Sequence, residues 1–322
     1  MSELIYEDNY FIFDRPIKKN LKFYIKRILY PFVSIYYKLL MYIFRPRKKQ
    51  IEKKYNVSIC AIFKDEATYL KEWIEFHKIV GVEHFYLYNN NSSDNYKDIL
   101  KPYIDDNIVT LIDWPQKQCQ VEAYQDCAKK FSLETKWIAY IDLDEFIIPN
   151  QFDDIYSFLK QFDYSRPVVI VYWKNMGSSG KMYRDLDGLV IEDFVVGFRK
   201  CVNIGKCFFN TNYKYPDILT INYVHHLRAN FKNILFFPVN VFDNICLWGM
   251  NKAFSENMPI QINHFLLKSF NEYVNKKSKR GGGIHVDMHN LDYFWNHESK
   301  CQAVDYHAYK YLIKLKLAMN KE

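Results

Sequence analysis

The run Trp137-Ile138-Ala139-Tyr140-Ile141-Asp142-Leu143-Asp144-Glu145-Phe146 carries a β-forming segment straight into three acids. A buried strand ending in Asp-x-Asp puts two carboxylates at the carboxyl edge of a sheet, where open α/β sheets bind ligands. Carboxylate oxygens suit a hard divalent cation, and an Mg²⁺-type ion commonly takes one or two of them together with substrate phosphates. The competing reading is a surface turn, because Asp-x-Asp is a short pattern. No Gly-x-Gly-x-x-Gly or Walker-type loop occurs, which disfavours the usual dinucleotide and P-loop chemistries. A nucleotide bound beside Asp142 and Asp144 would therefore need a metal for its phosphates.

The chain ahead of these acids supplies a scaffold. Residues 57–63 form a short apolar run of strand length, followed by Lys64-Asp65-Glu66. Leu70, Trp73, Ile74 and His77 then recur at helical spacing until Gly81. Residues 84–88 read as a second strand, with the turn-formers of residues 89–94 behind it. A helix over about residues 96–103, a strand over 108–112, a helix over 117–131 and a strand over 137–141 complete the pattern. Repeated strand–helix–strand units predict an α/β fold with a mostly parallel sheet flanked by helices. Parallel strands bring Lys64, Asp65, Glu66, the 89–94 loop, Asp113, Asp142 and Asp144 to one crevice. After Pro149 a helix over residues 152–162 precedes a strand over 167–173 and the loop Gly177-Ser178-Ser179-Gly180. A flexible loop behind Tyr172 and Trp173 suits a sugar acceptor, while core packing is the alternative role for those rings. Residues 291–321 read as a helical cap.

The 322 residues are 49% hydrophobic, enough for a sizeable core, and show no internal repeat. The net charge of +7 is uneven, with Lys and Arg crowded ahead of residue 55. That asymmetry implies an anionic partner. Because the basic residues alternate with large aliphatic and aromatic groups, lipid is favoured over nucleic acid. Residues 21–44 hold an apolar stretch from Ile28 to Phe44 of about 17 residues, at the lower limit for a span, contain Pro31, and carry tyrosines that prefer the headgroup zone. They read as an amphipathic helix lying on an anionic leaflet, or as a basic helix packed against the body. The first 44 residues do not read as a secretory signal. Seven scattered cysteines without a Cys-x-x-Cys pair argue for reduced thiols and against a zinc or disulfide framework. Together these features place the protein in the cytoplasm, peripheral to the inner face of the membrane.

The stretches VSICAIFKDEATYLKEWIEFHKIVGVEHFYLYNNNSSDNY and AYIDLDEFIIP resemble glycosyltransferase family 92, the former domain-of-unknown-function 23 group, within the GT-A glycosyltransferases. The resemblance extends through Gly177-Ser178-Ser179-Gly180, Asn263-His264-Phe265-Leu266-Leu267-Lys268-Ser269 and Lys279-Arg280-Gly281-Gly282, covering about residues 57–285. It implies a GT-A-like sheet over residues 56–290, with a nucleotide-sugar half (56–150) and an acceptor half (151–290). A basic segment (1–55) and a helical cap (291–322) flank this domain. It further implies metal-dependent, inverting transfer of a sugar from a nucleoside-diphosphate sugar, with UDP the favoured nucleotide. The acceptor it implies is a glycan or lipid-linked one, in surface polysaccharide or glycoconjugate synthesis. Asp144 would bind Mn²⁺ or Mg²⁺, with Asp142 near the ribose or a metal-bound water. His264 is either a further ligand or a hydrogen-bonded core histidine. The resembling segments also assign Ala61, Phe63, Glu66, Asn89, Asn91 and Asp94 to the nucleotide sugar, and Trp173, Gly177, Ser178 and Ser179 to the acceptor. Three positions depart from the family pattern: Asn89 replaces Asp, Lys181 replaces His, and Asp193 stands where Arg is frequent.

Inversion needs a general base within reach of the acceptor hydroxyl. Asp185, Asp187, Glu192, Asp193, Asp217 and Asp287 are the candidates, with Glu192 first because Gly188-Leu189-Val190-Ile191-Glu192 is family-like. A salt-bridged structural role is its alternative. For the diphosphate, Lys268 and Arg280 are favoured over Lys206, because residues 276–283 could close over a donor on their glycines. A solvated basic loop is the alternative there. The other readings of the whole chain are a metal-dependent nucleotidyltransferase and a non-catalytic, membrane-associated nucleotide- or glycan-binding module.

Overall fold

The computed structural model describes residues 21–46, 52–116, 119–185, 187–214, 225–231, 234–247, 257–278 and 290–320. Strands β1 (Tyr55–Phe63), β2 (His84–Asn89), β3 (Val109–Asp113) and β4 (Thr135–Tyr140) alternate with helices α2 (Ala67–Ile79), α3 (Tyr96–Asp105) and α4 (Gln120–Phe131). Helix α1 (Leu21–Ile43) precedes them. The four strands pair in parallel in the order β3-β2-β1-β4, as the alternation predicts. Every residue of β2, and all of β4 except Lys136, is buried, as expected of strands covered by helices on both faces.

The sheet continues past β4 in a way that the alternation does not forecast. β8 (Gly205–Asn210) pairs antiparallel with both β4 and β6 (Val168–Asn175). β12 (Ile260–His264) then pairs parallel with β6, and β5 (Glu145–Pro149) closes the order antiparallel to β12. The mostly parallel α/β expectation holds, with β8 and β5 reversed. Reversal matters because β8 starts, and β5 starts, at the edge where β1, β4, β6 and β12 end. Close approach of β8 requires Gly205: a Cβ there would lie 1.7 Å from the Val171 carbonyl oxygen. Between these strands run the short helices α5 (Ile155–Leu159), α6 (Val190–Asp193) and α7 (Phe270–Glu272). A small hairpin of β9 (Ala229–Phe231) and β10 (Ile234–Phe236) leads into β11 (Val239–Asn240), which pairs with β6.

Helix α2 fixes β5 from below. The amide N–H of Ala67 donates to Asp94 at 2.8 Å, and Gly81, at φ +94°, turns the chain out of the helix. On the buried face, Trp73 Nε1–H donates to the Glu145 carbonyl at 2.8 Å. His77 donates from Nδ1 to the Trp73 carbonyl at 2.8 Å and accepts the Ile147 N–H on Nε2 at 3.2 Å, so its ring is a neutral hinge between helix and strand. Burial pushes the His77 pKa down to about 3, against 6.5 when exposed. Protonation in the unfolded chain therefore begins well above protonation in the native one. The contribution of His77 is full above about pH 6.5 and is lost as pH falls toward about 3. Chemical denaturation between pH 7 and 4 is expected to show falling stability, on the order of 3 kcal/mol from this group. In a His77→Gln protein this part of the slope is expected to vanish.

Helix α1 is not a detached tether. Met41 is fully buried in the main core, and Tyr30, Val33, Tyr37, Leu40 and Phe44 pack against it. At the other terminus, α8 (Leu291–Lys300) and α9 (Leu312–Met319) are helical as expected, but Cys301–Val304 forms a strand, β13, antiparallel to β7 (Val196–Phe198). Its alternating half-buried, exposed pattern serves a two-stranded edge, so a continuous helix over the last thirty residues is corrected. No disulfide joins the seven cysteines.

Candidate active site

Beyond β4 the chain makes a tight turn, in which the Glu145 N–H donates to the Asp142 carbonyl at 3.1 Å. The Asp142 N–H in turn donates to the Glu145 carboxylate at 3.0 Å. This turn hangs Asp142 and Asp144 over the carboxyl edge, above a cleft of about 370 Å³. Register then supplies the third group: His264, the last residue of β12, lies opposite Glu145 on one side and Asn175 on the other. Asp144, Glu145 and His264 each present a ligand atom, all within 4.8 Å of one another, the only such group of three among the described residues.

The charges are balanced by lysines. Lys206, at the start of β8, is 1% exposed and donates to Asp142 Oδ2 at 2.7 Å, with Glu145 Oε1 at 3.5 Å. Burial opposes its charge, but Asp142 and Glu145 outweigh that and raise its pKa. Burial likewise pushes Asp142 up, and Lys206 more than offsets it, leaving Asp142 below the ordinary carboxylate range. Glu145, fully buried, is raised. Asp142 Oδ1 is occupied too, by Gln120 at 2.8 Å and Tyr124 at 3.3 Å. Lys277 donates to Asp144 Oδ2 at 2.8 Å, while His264 Nε2 stands 3.7 Å from Oδ1. Burial pushes Asp144 up, and Lys277 and His264 reverse this and hold it well below its ordinary value. Burial lowers His264 to about 4, so its imidazole is neutral with a lone pair at neutral pH.

These groups fit a hard divalent cation. Two carboxylates and a neutral imidazole converge, and the position already holds an ammonium in place by charge. Asp144 and His264, the ligands that the resemblance implies, both stand in this cluster. Asp142 is turned to Lys206, Gln120 and Tyr124, and Glu145, the acid that sequence reasoning passed over, takes its place in the cluster. Because Lys277 sits on Asp144, a metal must displace it. Mn²⁺ titrated without nucleotide is expected to bind a Lys277→Met protein about tenfold more tightly than the natural chain. Equal or weaker binding would show that the ammonium does not compete.

The remaining expected site residues divide. Phe63, Glu66, Asp142 and Lys268 line the cleft with Tyr69, Asn90, Gln120, Glu272, Lys276 and Lys277. Lys268, at φ +54°, lies 3.1 Å over the Tyr69 ring, and burial lowers its pKa to about 8. Glu66 is paired with Lys276 at 2.8 Å. Ala61 is buried inside β1. Asn89 spends its amide on Tyr96, Asp113 and the Ser92 N–H, so it braces the loop; its neighbour Asn90 lines the cleft, with its amide nitrogen on the Trp114 and Gln116 carbonyls. Asn91 holds the Pro115 carbonyl, and Asp94 holds the start of α2. Arg280, Asp217 and Asp287 lie outside the described residues.

On the acceptor side the structure gives the expected residues other work. Trp173 is buried with its ring 4.5 Å from that of His264, so it packs against the candidate ligand cluster. Ser178 is bound through its N–H and hydroxyl to Glu298 at 2.8 and 2.7 Å. Ser179 accepts the Val196 N–H at 3.0 Å, and a Cβ on Gly177 would strike Cys301 Sγ at 2.6 Å. The loop is pinned by the C-terminal segment, and none of these residues lines the cleft. Glu192, the first choice for a base, is paired with Lys316 at 2.5 Å and also stands outside the cleft lining. The departures Lys181 and Asp193 pair with each other, so the two substitutions compensate in charge.

Comparison with known proteins agrees with this geometry. The model for glycosyltransferase family 92 matches residues 53–279. A glycosyltransferase family 92 protein of Ricinus communis is 31% identical over 96 residues, 30% of this chain and 17% of that protein. The beta-1,4-galactosyltransferase galt-1 of Caenorhabditis elegans is 32% identical over 112 residues, 30% of this chain and 26% of that protein. Each match thus spans about a quarter or less of the relative's length. Among solved structures, TarS 1–349 of S. aureus in complex with UDP-GlcNAc aligns with a TM-score of 0.33 at 12% identity, over 50% of this chain and 48% of that one. Glucosyl-3-phosphoglycerate synthase of Mycobacterium tuberculosis, bound to Mn²⁺ and UDP, aligns at 0.26 and 11%, over 37% and 44%. Those scores are too low to bear on function. The family match, by contrast, runs unbroken from β1 through the His264 strand to the lysines over the cleft, and the chain belongs to glycosyltransferase family 92.

Proposed function

We propose that the chain is a metal-dependent glycosyltransferase that moves a hexose from a nucleoside-diphosphate sugar, UDP-linked, to a hydroxyl of a glycan or lipid-linked acceptor, with inversion. The observation that carries this is the cluster of Asp144, Glu145 and His264, of which Asp144 lines a cleft shared with Lys268, Lys276 and Lys277. Bound Mn²⁺ or Mg²⁺ would be held by Asp144, Glu145 and His264, and would supply charge for the departing diphosphate. Lys268, Lys276 and Lys277 supply further positive charge in the same cleft. Lys276 and Lys277 follow a helix start closed by a capping box, Ser269 with Glu272. They hold Glu66 and Asp144 now, and a diphosphate would draw both onto its oxygens. UDP and inversion come from the family resemblance, and a hexose from the name of the Caenorhabditis elegans relative. A panel of UDP-, GDP- and CMP-sugars with Mn²⁺ tests the reading by donor hydrolysis and transfer to glycan acceptors. Mn²⁺-dependent turnover of a UDP-hexose is expected. Absence of metal-dependent turnover across the panel would overturn it.

A further inference from the structure

Helix α1 has two apolar faces, and only one is covered. Through the inner face it docks firmly: Tyr30 donates to the Ile245 carbonyl at 2.7 Å, Tyr37 meets Phe237 edge-on at 5.2 Å, and Met41 is fully buried. Lys38 adds an ion pair with Asp243 at 3.2 Å, an acid also held by Arg166. On the outer face Leu21, Ile28, Phe32, Ile35, Leu39 and Tyr42 are 76, 69, 70, 68, 53 and 60% exposed. Their spacing of three, four or seven residues puts them on one stripe, about 32 Å long at 1.5 Å per residue. Soluble proteins rarely leave so continuous an apolar strip in water.

We infer that this stripe is a docking surface for an anionic lipid leaflet. Charge favours lipid and sets its sign. The helix contains no Asp or Glu, while Lys22 and Arg27 flank the stripe, and the sequence continues with Arg45, Arg47, Lys48 and Lys49. Apolar and aromatic groups on one side with lysines and arginines flanking them is the composition of a helix that lies in the headgroup plane. No described helix is long and apolar enough to cross a membrane, and the inner face of α1 is committed to protein contacts. A nucleic acid would be served by the charge but not by the stripe.

The leaflet contact itself stands apart from the sugar-transfer reading and survives if that reading fails.

Sedimentation of the full chain with vesicles tests the inference. Binding is expected to be at least about tenfold tighter to phosphatidylcholine vesicles containing phosphatidylglycerol than to phosphatidylcholine alone, and to weaken with salt. A protein carrying both Phe32→Asp and Ile35→Asp is expected to lose at least about tenfold of that binding with its melting temperature unchanged, since both side chains point into solvent. Should the double variant melt early, the dependence of the natural chain on anionic lipid and salt still decides. No vesicle binding, or equal binding to neutral and anionic vesicles, would overturn the inference. So would a dimer in solution that the double substitution converts to monomer, because a second copy would then cover the stripe.

Discussion

An Asp144→Asn protein is expected to fold normally and to transfer sugar roughly 100- to 1,000-fold more slowly than the natural chain. The substitution keeps shape and removes one charge. Asp144 is the residue on which the site's nitrogen groups converge: the Lys277 ammonium at 2.8 Å, the neutral His264 imidazole at 3.7 Å, and Lys268 close enough to lower its pKa. Its backbone carbonyl, which accepts the Phe265 N–H at 2.7 Å, is untouched, so the turn should survive. Melting temperature and turnover with saturating Mn²⁺ separate the two effects. A large loss of stability with near-normal turnover per folded molecule would make Asp144 a structural acid.

Replacement of Lys206 should act in the opposite sense, through stability first. Its ammonium lies between Asp142 and Glu145 at the mouth of β8 and is almost wholly removed from water. Lys206→Met leaves the buried Glu145 and the partly exposed Asp142 without their counter-charge, and breaking a buried pair in this way costs about 3–5 kcal/mol. Part of that cost should return when Glu145→Gln is added, because the neutral amide needs no ammonium. Denaturant unfolding of the two single variants and the double variant measures the coupling. Additive losses would mean that Lys206 and Glu145 are not energetically linked.

The first half of the fold is legible because it rests on local signals. Apolar runs alternate with helical periodicity, Gly81 ends a helix, and parallel crossovers leave Asp142 and Asp144 on one edge. The sheet beyond β4 depends on pairings between distant segments, which leave no period in the sequence. Lys206 stands beside Asp142 only because β8 inserts in reverse between β4 and β6, and Gly205 is the sole local trace of that close approach. Glu145 was in plain view, but its role comes from β5 pairing with the His264 strand. The acceptor loop and Glu192 have distant partners for a related reason. Gly177-Ser178-Ser179 looks flexible until Glu298 and Cys301 are laid over it, and Glu192 looks available until Lys316 arrives from α9. Asn89 reads as a ligand-facing amide, yet Tyr96, Asp113 and Ser92 use all of it. In each case a polar group that looked free was claimed by a partner elsewhere in the fold.

Calorimetric titration of UDP into the natural chain and into Asp144→Asn, each with Mn²⁺ and with EDTA, tests the central claim most directly. Mn²⁺ is expected to tighten UDP binding at least about tenfold in the natural chain and to give no gain in Asp144→Asn. UDP binding that ignores Mn²⁺, or a Mn²⁺ gain that persists without the Asp144 carboxylate, would contradict a metal site built on that residue.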